Sequence, residues 1–398
     1  MNMAFCTIAS ANYLARVQVL EKSLVKFHPA AELHILLCES QDVCEKIAVK
    51  SRRKFLAPAD VGCAKWLQMA FYYDITEYKT ALKPFLLETL LQQGYEAVIY
   101  FDPDIEIYGN LGELSTILDT YHAVLTPHVC QPIPDDNKQP SMDACIRAGQ
   151  FNLGFIGMSA CPEIFTLLNW WQNVLVEKCL FSNAPTFFVD QFWAAAIPSL
   201  LEKTYILRDP AYNMAYWNIF QRKLESDGDK WITDSGELRF FHFSGLNRQD
   251  LTKISVHQDR ASAPVGSDLY RLLYEYFEKI NKQEWAVFSN YQYSFGFYYD
   301  GEPITNNERK TYLSMSSKER EDIGNPFNEN SIPQNTIKLR CKKNLEMDNT
   351  ASDLLPIFKA RSKQFEKENH ELLNSMSWKI TAPLRRLYAW INLILKKS

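Results

Sequence analysis

Along the first 250 residues, short continuously apolar runs alternate with stretches whose apolar residues stand three and four apart, and this alternation predicts strands and helices in turn. Ala4 to Ala9 reads as a buried strand, Ser10 to Tyr13 as a polar turn, and Val17, Leu20 and Leu24 as one face of the helix that follows. Leu33 to Cys38 is a second strand. From Thr76 to Gln93 the residues Leu82, Phe85, Leu86, Leu90 and Leu91 fall at helical spacing, with Pro84 suited to a first turn and Gly94 to a stop. The run Val98 to Phe101 has the length of a central strand, and Asp102-Pro103-Asp104 closes it. Further on, Leu111 to Leu118 predicts a short helix, Ala123 to Leu125 a strand, and Pro127 to Pro140 a long Pro- and Asp-rich loop able to cover a site at that end. Gly149 to Met158 is a glycine-bearing strand, Cys161 to Val176 a long helix, Phe187 to Trp193 the start of another, and Phe240 to Gly245 a last strand. The pattern is that of an α/β domain with a mostly parallel sheet flanked by helices.

Beyond residue 265 the pattern changes. Leu269, Tyr270, Leu272, Leu273, Tyr276 and Phe277 mark a helix, followed by the aromatic-rich stretch Tyr291 to Tyr299. We divide the chain into a domain over 1–265, a helical extension over 266–323 packed on it, a polar linker over 324–349, and a C-terminal segment over 350–398. From Leu372 onward there is no acidic residue, while Lys379, Arg385, Arg386, Lys396 and Lys397 flank Trp378, Leu387, Trp390 and their aliphatic neighbours. That mixture suits an anionic membrane surface and is too short in apolar residues to span a bilayer.

Composition narrows the classes. With 398 residues, 46% of them hydrophobic, the chain can support a sizeable core, and a net charge of −4 offers no general attraction to nucleic acid. Nine cysteines lack any Cys-x-x-Cys pair, which favours reduced thiols over disulfides or structural zinc. Neither a signal peptide nor a membrane span is visible, so a cytoplasmic protein, peripherally held on the inner face of the plasma membrane by its tail, is expected.

The candidate chemistry centres on Asp102 and Asp104. Two carboxylates after a buried strand suit Mg²⁺ or Mn²⁺ together with substrate phosphates, although Asp and Pro are also ordinary turn residues. No Gly-x-Gly-x-x-Gly follows either early strand, so a bound phosphate must be neutralised by metal and cations. Lys83 reads by itself as a solvated lysine, Asp190 as a helix-start carboxylate, and His242 as a core histidine.

The order and spacing of these segments resemble the retaining GT-A glycosyltransferases of the glycogenin and bacterial lipopolysaccharide glucosyl- and galactosyltransferase family, over roughly residues 3 to 250. The resemblance implies the GT-A (Rossmann-like) fold and a UDP-hexose donor whose base is held by Ala9, Asn12 and Tyr13. It implies donor contact by Lys83, Asn152, Gly154, Asp190 and Gln191, the last two carrying the catalytic role. A metal ion would be held by Asp102, Asp104 and His242, with Asp102 also touching the donor. The family's His-x-x-Gly-x-x-Lys motif matches His242 and Gly245, with Arg248 in the lysine's place, where a guanidinium still suits diphosphate. Departures are Phe192 for the second Asp of Asp-Gln-Asp, Leu153 for Ser in the Asn-x-Gly strand, and Gln249-Asp250 for Pro-Trp. The expected function is hexose transfer, with retention, to a glycan or lipid-linked glycan acceptor in surface polysaccharide or lipopolysaccharide assembly.

Other readings predict different residues. A phosphatase of the haloacid-dehalogenase type wants Thr or Val where Glu106 stands, and a nucleotidyltransferase wants a glycine-rich loop near the first strand. A catalytically inactive carbohydrate-binding or scaffold protein predicts no Mn²⁺-dependent hydrolysis of any nucleotide sugar.

Overall fold

The apolar run Met3–Ala9 forms strand β1, buried at every position after the first. A turn carries the chain into helix α1 (Leu14–Phe27), which buries Leu14, Val17, Leu20 and Leu24 along one stripe. Strand β2 (Leu33–Leu37) and helix α2 (Gln41–Ser51) follow, then α3 (Trp66–Tyr72), α4 (Ile75–Ala81) and α5 (Lys83–Gln92). The helical pattern over Thr76 to Gln93 is thus two helices. Pro84 lacks the N–H an interior position needs and sits in the first turn of α5, so the chain breaks at Leu82. The capping box of Asp74 and Glu77 starts α4.

Strand β3 (Ala97–Phe101) is buried throughout, as a central strand covered on both faces must be. Then come β4 (Ile105–Ile107), α6 (Glu113–Thr120), β5 (Ala123–Pro127), α7 (Met142–Ala148), β6 (Phe151–Ser159) and α8 (Pro162–Lys178). Trp171 of α8 is core, whereas Trp170 is only partly buried. The remaining elements are α9 (Val189–Ala194), α10 (Ile197–Leu200), β7 (Thr204–Ile206), β8 (Met214–Ala215), β9 (Glu225–Asp227), β10 (Lys230–Thr233), β11 (Gly236–Glu237), β12 (Phe240–His242), α11 (Asp268–Asn281), α12 (Asn306–Ser314) and α13 (Ser317–Ile323). This computed structural model describes residues 1–181, 188–345 and 363–364.

The main sheet has the order β2-β1-β3-β6-β5-β7. All its strands run one way except β6, which is antiparallel to both β3 and β5. That reversal matters for what lies beyond β3. The β3/β6 register ends with Phe101 opposite Phe155, and the Asp102 N–H donates to the Gly154 carbonyl at 2.7 Å. A smaller sheet, β4-β12-β8, pairs His242 with Ile105, and the Phe243 N–H reaches the Asp104 carbonyl at 2.9 Å. Two apolar clusters support the sheets. One joins β1, β2, β3 and α1 through Phe5, Leu20, Ile35, Ile99 and Phe101, and the other joins β12 to α11 through Phe241, Phe243, Leu272 and Tyr276.

The chain divides into two compact units, Met1–Gln334 and Asn335–Ser398, so the extension expected over 266–323 belongs to the first. Of the second unit, 335–345 is helical and falls within the stretch 324–349 read as a polar linker. Ile337, Cys341 and Leu345 stand four apart, which is one face of a helix. No described helix is long and apolar enough to cross a membrane. The basic segment after Leu372 lies outside the described residues.

The segment between β5 and α7 crosses one end of the sheet as a loop tied down by Arg260. Its guanidinium donates to both Asp136 carboxylate oxygens, at 2.7 and 2.8 Å, and to the carbonyls of Lys138 and Pro140. Asp259 and Gln139 exchange two further hydrogen bonds, at 2.7 and 3.1 Å.

Candidate active site

The two registers just described bring Asp102, Asp104 and His242 to one point. The His242 Nε2 lies 3.1 Å from Asp104 Oδ1 and 3.7 Å from Asp102 Oδ2. Burial drives the His242 imidazole toward neutrality, but the Asp104 carboxylate, by charge and hydrogen bond, and Asp102 behind it hold its pKa above the ordinary value. Burial likewise pushes the Asp104 carboxyl up, and the His242 imidazolium, with Arg16 and Lys79 beyond it, outweighs this and holds it below the ordinary value. The phenol of Tyr100 donates to the other Asp102 oxygen at 2.7 Å and so sets that carboxylate's rotamer.

These three residues fit a divalent ion. Their ligand atoms lie within 4.8 Å of one another, and two carboxylates with one imidazole are a donor set for the harder divalent cations such as Mn²⁺ or Mg²⁺. The His242 Nδ1 is buried without a hydrogen-bond partner among the described residues. The ring is held instead by shape, lying over Gly154, where an added Cβ would fall 2.6 Å from Nδ1 and 2.8 Å from Asn152 Oδ1. Gly154→Ala is therefore expected to displace the imidazole, at a cost of about 1–3 kcal/mol in stability and with weakened Mn²⁺ binding. Urea denaturation and calorimetric Mn²⁺ titration check it. Unchanged values in both would mean that the ring is not positioned by this contact.

Beside the carboxylates lies a buried ion pair. Lys83, at the start of α5, donates to Asp190 Oδ2 at 2.6 Å and to the Leu153 carbonyl at 2.8 Å, and sits 4.4 Å from the centre of the Tyr100 ring. The surface reading of this lysine fails because the break at Leu82 turns the first residue of α5 inward. Burial raises the Asp190 pKa, with the Lys83 cation opposing, and Asp190 Oδ1 has no hydrogen-bond partner among the described residues. Gln191 is differently placed. Its Oε1 accepts from Asn152 Nδ2 at 3.0 Å and from the Leu153 N–H at 2.9 Å, while its Nε2 donates to the Ala148 carbonyl at 2.9 Å. The amide thus locks Asn152 and the start of β6 against α7. Asn152 in turn accepts from the Gly154 N–H and from Asn213.

Asp102, Asp104, His242, Lys83, Asp190, Gln191, Asn152, Gly245 and Tyr13 all line one cavity of about 520 Å³. Tyr13 faces it with Arg16 and Lys79 against its ring, at 4.5 and 4.7 Å. The turn that holds Tyr13 is fixed by buried Glu39, which accepts from the Ala11 N–H at 2.9 Å and from Ser294. Ala9 is wholly buried beneath that turn, and Asn12 is exposed, taking a hydrogen bond from Ser10 Oγ at 2.6 Å. Neither is part of the lining. Arg248 is also outside it, exposed and bonded to Asn281 at 2.8 Å. Gly245, at φ +62°, turns the chain away there, and an added Cβ would strike Ser255 Oγ and His257. Within the lining, Lys79 is a cation that reading the sequence passed over.

His128, Trp217, Tyr216 and His257 were missed as well. The His128 ring is driven down to a pKa of about 4 by burial, so it is neutral, and among the described residues neither its Nδ1 nor Trp217 Nε1 has a hydrogen-bond partner. Trp217 packs edge-on against both His128 and His242, at 5.4 and 5.1 Å between ring centres.

No family model matches the chain. An uncharacterized protein of Bacillus subtilis (strain 168), YfnD, is 26% identical over 175 residues, which is 43% of this chain and 54% of YfnD. The chain thus spans about half of that relative. Among solved structures it is similar to the apo form of the glycosyltransferase GlyE of Streptococcus pneumoniae TIGR4, at a TM-score of 0.43 and 15% identity over 73% of this chain and 62% of that one. It is also similar to the galactosyltransferase LgtC in complex with donor and acceptor sugar analogs (0.39, 16%, 72% of this chain and 100% of that one) and to mouse xyloside xylosyltransferase 1 (0.37, 15%, 61% and 98%).

Proposed function

We propose that this chain is a metal-dependent glycosyltransferase of the retaining GT-A kind, moving a hexose from a nucleotide sugar, foremost a UDP-hexose, to a glycan or lipid-linked glycan acceptor. The observation that carries this reading is the convergence of Asp102, Asp104 and His242 with Lys79 and the Lys83–Asp190 pair in one cavity. A bound Mn²⁺ or Mg²⁺ would supply Lewis-acid neutralisation of charge on the departing diphosphate. Lys79 adds a protein cation from the cavity lining, the part the motif gives to Arg248, which is not in that lining. Tyr13 offers its ring to the base. The unpartnered oxygen of Asp190 accepts a hydroxyl of the donor sugar and, from the cavity wall, supports positive charge developing at the reacting carbon. Gln191 acts through Asn152 as a positioning residue. Retention places the acceptor hydroxyl on the face from which the diphosphate departs.

With Mn²⁺ present, UDP and UDP-sugars are expected to raise the melting temperature and UDP to inhibit transfer competitively, by mass action on the folded state. Tighter binding of GDP would sink the choice of donor. Absence of Mn²⁺-dependent hydrolysis with UDP, GDP, CMP and dTDP sugars alike would favour the non-catalytic reading.

We further propose that the basic segment from Leu372 to Ser398 holds the enzyme on an anionic membrane surface, as acceptors on lipid carriers would require. Five cations at about 1 kcal/mol each near such a surface sum to roughly 5 kcal/mol before screening. Full-length protein is expected to float with anionic and not neutral liposomes, and a truncation ending at Glu371 to stay behind. Equal flotation of the two proteins would remove the anchor.

A further inference from the structure

At the far end of β6 from Gly154, five residues and about 17 Å along the strand, a second group of ligating side chains comes together. His122 precedes β5, Cys161 caps α8 and Glu163 lies in the first turn of that helix, with one ligand atom from each within 4.8 Å of the others. Their backbones are fixed by unrelated parts of the fold. The His122 N–H donates to the Lys203 carbonyl at 2.7 Å and its carbonyl accepts from Ser159 at 2.9 Å, while the Cys161 carbonyl accepts from Ile164 and Phe165. The side chains are half-exposed or exposed, so an ion can reach them.

We propose that His122, Cys161 and Glu163 form a second divalent-metal site, selective for Zn²⁺ and other borderline cations over the Mn²⁺ or Mg²⁺ suited to the carboxylate-rich cavity. The donor sets decide the selectivity. Sulfur and imidazole nitrogen favour Zn²⁺, whereas two carboxylates with one imidazole favour harder ions. Charge is balanced, since a thiolate and a carboxylate together neutralise a dication; in the metal-free protein burial and the neighbouring Glu163 carboxylate hold the Cys161 thiol above its ordinary pKa, and a bound dication would reverse that. Binding exchanges the thiol proton, released to solvent, for the metal–sulfur bond. Three protein ligands leave a coordination position for water. The site would clip the turn before β5 to the start of α8, independently of the reading given to the main cavity.

The test is Co²⁺ titration of the full chain followed by absorption. Because Asp102, Asp104 and His242 offer no sulfur, a thiolate-to-cobalt charge-transfer band that depends on Cys161 reports this site and not that triad. The band is expected to saturate at one equivalent, to be displaced by Zn²⁺ and not by Mg²⁺, to persist in Cys130→Ser, which removes an exposed thiol elsewhere, and to be lost in Cys161→Ser. His122→Ala is expected to weaken it. Zn²⁺ is expected to raise the melting temperature of the wild type more than that of Cys161→Ser, which keeps the Asp102–Asp104–His242 cluster, and to protect Cys161 from iodoacetamide while Cys130 still reacts. A protein with no such band, or one whose band survives in Cys161→Ser, would overturn the site.

Discussion

Asp104→Asn is expected to abolish sugar transfer while leaving the fold in place. The backbone of Asp104 is held by the Phe243 N–H and not by its side chain, and asparagine keeps the shape. The lost charge is the one that holds the proton on His242 and would help hold a metal ion. Charge stabilisation worth several kcal/mol corresponds to a rate loss of about 10³-fold or more. Transfer at the wild-type rate by this variant, or by the wild type in excess EDTA, would refute the assignment. In the metal-free protein the same pair has a pH signature. The raised His242 pKa gives stability that is present below the unfolded value of about 6.5 and lost as pH rises through the folded value. The lowered Asp104 pKa gives stability present above about 3.9 and lost as pH falls through its folded value. EDTA-treated wild type should therefore gain most from the pair between about pH 4 and 6.5, and Asp104→Asn should lack that maximum.

Lys83→Met is expected to destabilise the protein by about 3–5 kcal/mol, because it strands the Asp190 carboxylate at 1% exposure with no cation. The folded-state pKa of Asp190 is already raised by burial, and removing the lysine raises it further. A group raised in this way binds its proton more tightly when folded, so the variant should be most stable at acid pH and lose stability as pH climbs through the shifted value. Lys83→Met/Asp190→Asn should recover a good part of the loss. Denaturation at several pH values, with the double-mutant cycle, measures both effects. Additive losses in the cycle would show that the two side chains do not depend on each other.

The strand and helix order was legible because buried strands of a mostly parallel sheet are continuous apolar runs, and Val98 to Phe101 is one. The antiparallel course of β6 was not, since periodicity carries no direction. Asp102 and Asp104 could be read locally as a carboxylate pair, but their meeting with His242 depends on pairing across more than a hundred residues, and only the resemblance pointed to it. Lys83 illustrates the limit. Its character is decided by Asp190, 107 positions later, and by a helix break that only Pro84 hinted at. His128, Trp217 and His257 come from loops whose conformation no local pattern dictates; the bare signal was aromatic and imidazole residues at strand ends. Arg248 matched the motif by spacing, and the turn at Gly245 led it elsewhere.

The Arg260 clamp gives the cavity a roof whose order does not depend on a ligand. Gln139 and Pro140, which line the cavity, sit in the segment that Arg260 and Asp259 tie down. Fixing a residue's backbone costs roughly 1–2 kcal/mol in conformational entropy. For this stretch the cost is met once, as the chain folds, and is not repeated with each turnover. A ligand arriving beneath it therefore finds this wall already tied in position.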